Sequence, residues 1–310
     1  CKRDFQTRKP IHRAGLDKVE TVANVKIYSL EDSPTQVKFD CRKTDPTQQI
    51  TTLGLSGYDQ ANEIIVSGEL ENSVYVFANQ DKSVNVQCKF DEVSISTALN
   101  NEKTIQEKIT LDAVYEDFIV RSRLKVYTLE QATLDLLENS GVNPFTEFKI
   151  KDPQASIEDR SIRSEQLKSG PVVLALTLID AQPITAGPPY VLGVKIQNDK
   201  LRWNGKISRL KSLKLFFPEG FSPVEFRCPD FDRKENNVLE LNTLALVELS
   251  KREIEKEEFF CDFKIDSTAA TESLDFSLIQ AEAKFDYAFE AYTTATISTG
   301  ILRGTTIVNP

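Results

Sequence analysis

Residues 281–292 read AEAKFDYAFEAY. Ala283, Phe285, Tyr287, Phe289 and Ala291 fall at every second position, with Glu282, Lys284, Asp286 and Glu290 between them. Strand side chains alternate between two faces, so this spacing predicts a strand with one face in a core and one in water. It is the clearest strand signal in the chain and sets an all-β reading.

Working outward, a related stretch lies at 111–128, LDAVYEDFIVRSRLKVYT. Ala113 and Tyr115 occupy the matching phase, followed by Ile119. Both stretches follow a cysteine-bearing run at nearly equal distance. VQCKF places Val86, Cys88 and Phe90 on one strand face, and FFCDFKI does the same for Phe259, Cys261, Phe263 and Ile265. Two further runs carry the pattern Val-x-Phe-x-Cys: VKFDC, with Val37, Phe39 and Cys41, and VEFRC, with Val224, Phe226 and Cys228. Each half of the chain thus has two strands with a cysteine on an apolar face. One disulfide per half is expected, Cys41–Cys88 and Cys228–Cys261, each worth about 3–4 kcal/mol in the chain-entropy account. Free buried thiols behaving as small hydrophobes are the alternative. Bridges imply an oxidising compartment, or an organism that keeps disulfides at high temperature.

The repeat suggests two domains, and 310 residues suit two. Residues 1–20 read as a basic N-terminal tail. Domain 1 is expected over 21–149, with short alternating runs separated by turn signals, the spacing of a sandwich. It includes one short helix at 128–141 near the junction, where Thr128 and Gln131 stand in capping-box register. Leu129, Ala132 and Leu136 recur at helical spacing, and Gly141 ends the run. Residues 150–169 are polar and read as a linker. Domain 2 is expected over 170–310. In it, Tyr190, Leu192, Val194 and Ile196 point inward, and Ser250 and Glu253 open a short charged helix or turn. Its Thr- and Ile-rich end, 294–310, is a strand that either returns to its own sheet or is donated to a neighbouring subunit.

The composition is 40% hydrophobic and 27% charged, that of a globular chain, and no apolar run is long enough to span a bilayer as a helix. The net charge of −9 argues against a nucleic-acid partner. The one basic block is N-terminal, with Lys2, Arg3, Arg8, Lys9 and Arg13 against Asp4. A solvated tail, a stalk beside an anionic membrane and an arm for an acidic neighbour all fit it. The chain has no Met and starts at Cys1, so a removed leader, an anchor or further residues are expected ahead of it. Cys1 is the odd cysteine of five, open to lipidation or to an interchain bridge.

Catalytic equipment is sparse. His12, in the basic block, is the only histidine, so no triad base stands near a nucleophile. No glycine-rich nucleotide cradle occurs, and no cysteine pair has zinc-ligand spacing. Asp230, Asp232 and Asn236 in CPDFDRKENN offer a weak calcium candidate, and a solvated turn is the plainer reading. Trp203 in KLRWNGK is either a core plug or a contact surface, and an aromatic-lined site would form around Trp203, Tyr190 or Tyr58. No catalytic residue, metal or cofactor is implied.

LGLSGYDQANEI (53–64), preceded by RAGLDKV, and QPITAGPPYVLGVKIQN followed by LFFPEGF resemble predicted archaeal cell-surface proteins. Those carry tandem immunoglobulin-like β-sandwiches, broadly similar to S-layer and adhesion modules. The resemblance implies two tandem immunoglobulin-like domains outside a cell and supplies no catalytic residues. The expected function is a non-catalytic structural subunit of an extracellular filament or lattice. It would associate with identical subunits, by strand addition among other routes, and be anchored to the envelope through its N-terminus. A cell-surface adhesin or ligand-binding lipoprotein is the alternative.

Overall fold

The structure is a computed structural model. It describes eight strands between residues 4 and 90 and, apart from 168–169, 200–202, 204, 225–226 and 236, residues 104–298. Side chains before residue 106 are described only at 21–25, 37–41 and 85–86.

In chain order the first strands are β1 (Asp4–Thr7), β2 (Ile11–Arg13), β3 (Val19–Ile27), β4 (Thr35–Lys43), β5 (Thr52–Tyr58), β6 (Glu69–Leu70), β7 (Val74–Phe77) and β8 (Lys82–Phe90). The long β9 (Thr104–Thr128) is followed by helices α1 (Gln131–Asn139) and α2 (Pro144–Glu147), then by the short β10 (Ala155–Ser156), β11 (Ser161–Ile162) and β12 (Glu165–Gln166). Next come β13 (Val172–Leu178), β14 (Tyr190–Asn198), β15 (Lys206–Phe216), β16 (Phe221–Pro223), β17 (Phe231–Glu235) and β18 (Val238–Leu241). Helix α3 (Thr243–Ser250), β19 (Lys256–Ile265) and β20 (Asp275–Ser298) complete the set.

The chain is all-β and built as antiparallel sandwiches, as the alternation requires. One sheet has the order β1-β3-β8-β5-β6, a second β13-β14-β19-β16. A third runs β17-β18-β15-β20-β9-β4-β7, with β12 on β9 and β2 parallel to β20. The two compact units are not consecutive. One comprises 1–116 and 288–310, the other 117–287. The second is therefore inserted into the first, where a tandem order with a boundary at 150–169 was expected. The physical reason is that β9 and β20 are each long enough to give one segment to each unit.

Three further expectations change. Residues 1–20 are not simply a tail: β1 pairs antiparallel with β3, and β2 pairs in parallel with Thr296–Ser298 of β20. Main-chain pairing is indifferent to the charges flanking it. The end of β20 thus meets a segment of the same chain, and 299–310 lies outside the described residues. The expected linker carries β10, β11 and β12, with Ile162 buried.

Within the inserted unit, Val172, Leu174, Leu176 and Leu178 of β13 are buried, as are Leu192, Val194 and Ile196 of β14. Phe259, Cys261, Phe263 and Ile265 of β19 are buried, with the alternation read from the sequence. The facing layer buries Leu213 and Leu215 of β15 and Ala281, Ala283, Phe285 and Tyr287 of β20. Phe231 of one sheet meets Phe259 of the other edge-on, with centroids 5.9 Å apart. Burying a side chain such as Phe263 contributes about 2–3 kcal/mol.

β9 breaks its own alternation. Ala113 and Tyr115 face in, but so do Phe118 and Val120, and Ile119 does not take the expected phase. Asp117 sits at φ 62°, the left-handed geometry of a bulge. Its amide donates to Asp286 Oδ1 at 3.0 Å, so a donor lost from the ladder is recovered. Lys211 Nζ lies 2.7 Å from Asp117 and 2.6 Å from Asp286, and Lys284 Nζ lies 3.2 Å from Asp117. The Lys211 hydrogen bond, aided by Lys284, outweighs burial and holds the Asp117 carboxyl below the usual aspartate range.

The helices differ from expectation at their starts. Thr128 ends β9, and the α1 N-cap is Glu130, with no side-chain cap bond. Gln131 instead donates to Asp135 and accepts from Thr185. Leu134 is the buried residue of α1, and Leu136 is exposed. Gly141 does take a left-handed conformation, at φ 67°. Ser250 ends α3 rather than opening a helix, and its hydroxyl donates to Val247 O.

Candidate functional site

Lys125 and Tyr127 occupy alternate positions near the end of β9, on the face opposite the buried Leu124 and Val126. Gln182 fixes this end of the strand. Its Oε1 accepts the Tyr127 amide at 2.8 Å, and Ile184 N–H donates to Tyr127 O at 2.9 Å. The outward face is covered by α2 and the segment that follows it. Asn143 caps α2 by accepting from the Phe145 amide at 2.8 Å, and Pro144 fills the first turn. That start places the buried Phe145 ring edge-on to Tyr127, centroids 5.5 Å apart.

These elements leave a groove of about 370 Å³, open to solvent. Phe148, Ile150, Pro153, Leu274 and Phe276 supply its apolar wall, while Lys125, Tyr127, Lys151 and Asp152 supply the polar part. Phe276, at the start of β20, is 47% exposed, and Phe148 is 37% exposed. Tyr127 and Phe276 lie 5.8 Å apart between centroids, and Lys125 Nζ stands 5.3 Å from the Phe276 centroid. The groove is thus an aromatic platform crossed by one cation.

Asp152 is the anchor. Its side chain is 3% exposed, and Lys125 Nζ lies 2.6 Å from Oδ2. Tyr127 donates its hydroxyl proton to the same oxygen at 3.3 Å, and the Gln154 amide donates to Oδ1 at 2.9 Å. Burial raises the Asp152 pKa, but the Lys125 hydrogen bond and charge, the Gln154 amide and the Tyr127 hydroxyl together hold it below the usual range. Burial, with the Asp152 charge beside it, pushes the Tyr127 phenol up to about 12. At neutral pH the trio is an ammonium, a carboxylate and a neutral phenol. The carboxylate accepts three hydrogen bonds, two on Oδ2 and one on Oδ1.

The residues singled out in sequence lie elsewhere. Cys228 and Cys261 form a disulfide between the turn after β16 and the buried face of β19. VEFRC is not a strand across its length: β16 ends at Pro223, and the Arg227 amide turns back to Val224 O at 2.8 Å. Cys41 is buried on β4, with Val37 and Phe39, and is disulfide-bonded. The Cys88 side chain and Cys1 lie outside the described residues. Trp203 is partly buried between β14 and β15, its amide donating to Asp199 O at 3.0 Å, and it does not line the groove. Tyr190 is tied by its hydroxyl to Thr185. The Tyr58 side chain is outside the described residues. Asp230 lies in the turn before β17, Asp232 is exposed on β17, and Asn236 is outside the described residues. Among the described residues no three His, Cys, Asp or Glu side chains gather to hold a metal, and no helix is long and apolar enough to cross a membrane.

The groove residues come from three separated stretches, 125–127, 148–153 and 274–276. Only the strand signal of RLKVYT pointed to any of them.

No family profile and no curated protein matches this sequence. Among solved structures, the collagen-binding domain of the Erysipelothrix rhusiopathiae surface protein RspB aligns over 96% of this chain and 93% of its own. Its identity is 6% and its TM-score 0.16. The collagen adhesin CNA of S. aureus aligns over 95% and 91%, at 10% identity and a TM-score of 0.14. Both are bacterial, which gives the archaeal side of the resemblance no support, and at these scores neither carries its ligand over to this chain.

Proposed function

We propose that this chain is a non-catalytic, disulfide-stapled binding module of an extracellular surface, an adhesin-type protein that holds its partner in the groove between Phe148 and Phe276. The observation that carries this reading is the exposed aromatic wall set against the Lys125–Asp152–Tyr127 constellation. Exposed aromatic area of this kind is costly in water and is repaid when a partner covers it. The disulfide between Cys228 and Cys261 supports an oxidising compartment. Cys41 is assigned Cys88 as its partner, on β8 of the other sheet. The N-terminal basic block and Cys1 are assigned the envelope-facing role.

The test is capture of purified extracellular matrix and envelope polypeptides by the immobilised full chain. The paired variant Phe148→Ala, Phe276→Ala, checked for folding by its melting curve, is run beside it. Retention of a partner by the wild type and its loss by the variant supports the groove. Equal retention by both removes it.

Self-association into a filament or lattice is the second reading, favoured by the strand-forming Thr- and Ile-rich end of the chain. Two edges of the inserted unit are poor for it. At the β13 edge, Gln166 Nε2 donates to Val172 O and Ser164 Oγ accepts from the Leu176 amide, so side chains occupy main-chain positions. The β17 edge carries Asp232, Arg233, Lys234 and Glu235, all exposed, and an irregular register. Both are devices against edge pairing. Electron microscopy of the native protein distinguishes this reading: regular polymers support it, and monomers at high concentration reject it.

A further inference from the structure

The polar inventory of the groove narrows its ligand, on the premise that the groove is the binding site. Asp152 supplies the only carboxylate in the lining, and it already accepts three hydrogen bonds: Oδ2 accepts from Lys125 and Tyr127, Oδ1 from the Gln154 amide, and the side chain is almost wholly buried. Tyr127 donates its hydroxyl hydrogen bond to Asp152. The charged groups left facing a ligand are donors. Lys125 has three N–H bonds, is about one-third exposed and uses one bond on Asp152. Lys151 is exposed and makes no ion pair among the described residues. The rest of the wall is hydrocarbon and aromatic ring.

A neutral sugar chain brings no negative charge to the two lysines of the lining. A lipid tail fits the wall but would stay half in water in a groove open along its length. The remaining class is a chain segment with acceptors and negative charge beside single apolar groups. We infer that the groove takes an extended acidic peptide segment, an aromatic or aliphatic side chain of which stacks on Phe276 and Phe148 while a neighbouring carboxylate reaches Lys151 and Lys125. Charge complementarity is local: the lining carries two lysines against one buried aspartate, in a chain whose net charge is −9.

The experiment uses a labelled, end-blocked peptide in which glutamate alternates with phenylalanine, titrated with the full chain by fluorescence anisotropy. Matched peptides carry lysine in place of glutamate, or serine in place of phenylalanine, and a heparin-derived oligosaccharide serves as the glycan probe. The expected result is saturable binding of the Glu/Phe peptide. The affinity falls about tenfold with Lys151→Glu and about tenfold with Phe276→Ala, and it falls as salt is added. Both substitutions lie at exposed side chains, and melting curves confirm the fold. Equal binding by the wild type and Lys151→Glu overturns the inference, as does preference for the lysine peptide. Binding of the oligosaccharide alone overturns it in favour of a glycan. Failure of every peptide overturns the ligand class only: the Phe148→Ala, Phe276→Ala comparison against purified polypeptides still decides whether the groove binds at all.

Discussion

Lys125 Nζ lies 2.6 Å from the Asp152 carboxylate, and the residues are brought together by a turn that follows α2 rather than by a strand pair. The aspartate is buried and the lysine is not, so the pair is lopsided: losing the lysine strands a buried charge, whereas losing the aspartate frees an ammonium that water can reach. Asp152→Asn should cost about 1–3 kcal/mol at neutral pH. Because the carboxyl is held below its usual range, its contribution is present above the ordinary aspartate pKa of about 3.9 and is lost as pH falls through the lowered value. Melting temperatures of the wild type and Asp152→Asn across acid pH check this: the gap between them should close at low pH.

At the alkaline end two buried phenols contribute. Burial pushes both Tyr127 and Tyr287 up to about 12, with the Asp152 charge adding to the first and the Asp199 charge to the second. Each is raised above its unfolded value, so its contribution is complete below about pH 10 and disappears as pH rises toward 12. Ultraviolet titration should show at least two tyrosines ionising late. Tyr287→Phe should flatten the alkaline fall in melting temperature, while losing the bond its hydroxyl oxygen accepts from the Gly205 amide at 3.0 Å.

The disulfide closes a separation of 33 residues. Cys228→Ala with Cys261→Ala should lower stability by about 3 kcal/mol. Both cysteines are buried, so mild reductant should leave the native bridge intact and cleave it only with denaturant present. Thiol counting with and without denaturant measures this.

Asp117 combines a left-handed backbone with three polar contacts, to the Asp286 carboxylate and to Lys211 and Lys284. Asp117→Gly keeps the conformation and loses only the ion pairs. Asp117→Val strains the backbone as well, by about 1–3 kcal/mol more. Denaturant midpoints of the two variants should fall in that order. Equal midpoints would mean the bulge is not strained.

Much of the fold was open to a reading by alternation alone. Ala283, Phe285, Tyr287, Phe289 and Ala291, and Phe259 to Ile265, face the core as written, because a strand with one wet face must repeat every two residues; Asp286, read as facing water, is instead buried, with Lys211 and the Asp117 amide as partners. The failures share a cause. The phase of 111–120 slips at Asp117, and a bulge adds one residue without any composition signal beyond an Asp that tolerates positive φ. VEFRC matched a strand template, but Pro223 and Pro229 flank it, and the chain turns there. TLALVELS spreads its apolar residues over more than one face, with Leu244 79% exposed, so it has no helical stripe to read. Its one local signal is Asn242, whose side chain accepts from the Ala245 amide at 2.8 Å. The groove was illegible for a different reason: Lys125, Asp152 and Phe276 meet only through tertiary structure, and no local spacing encodes their meeting.

The most direct test of the binding account is surface plasmon resonance of the immobilised full chain against purified extracellular matrix and envelope polypeptides, with Phe148→Ala, Phe276→Ala as the paired surface. The account predicts a saturable response to at least one of them that falls about tenfold or more on the variant surface. No response on either surface, or identical responses on both, would contradict it.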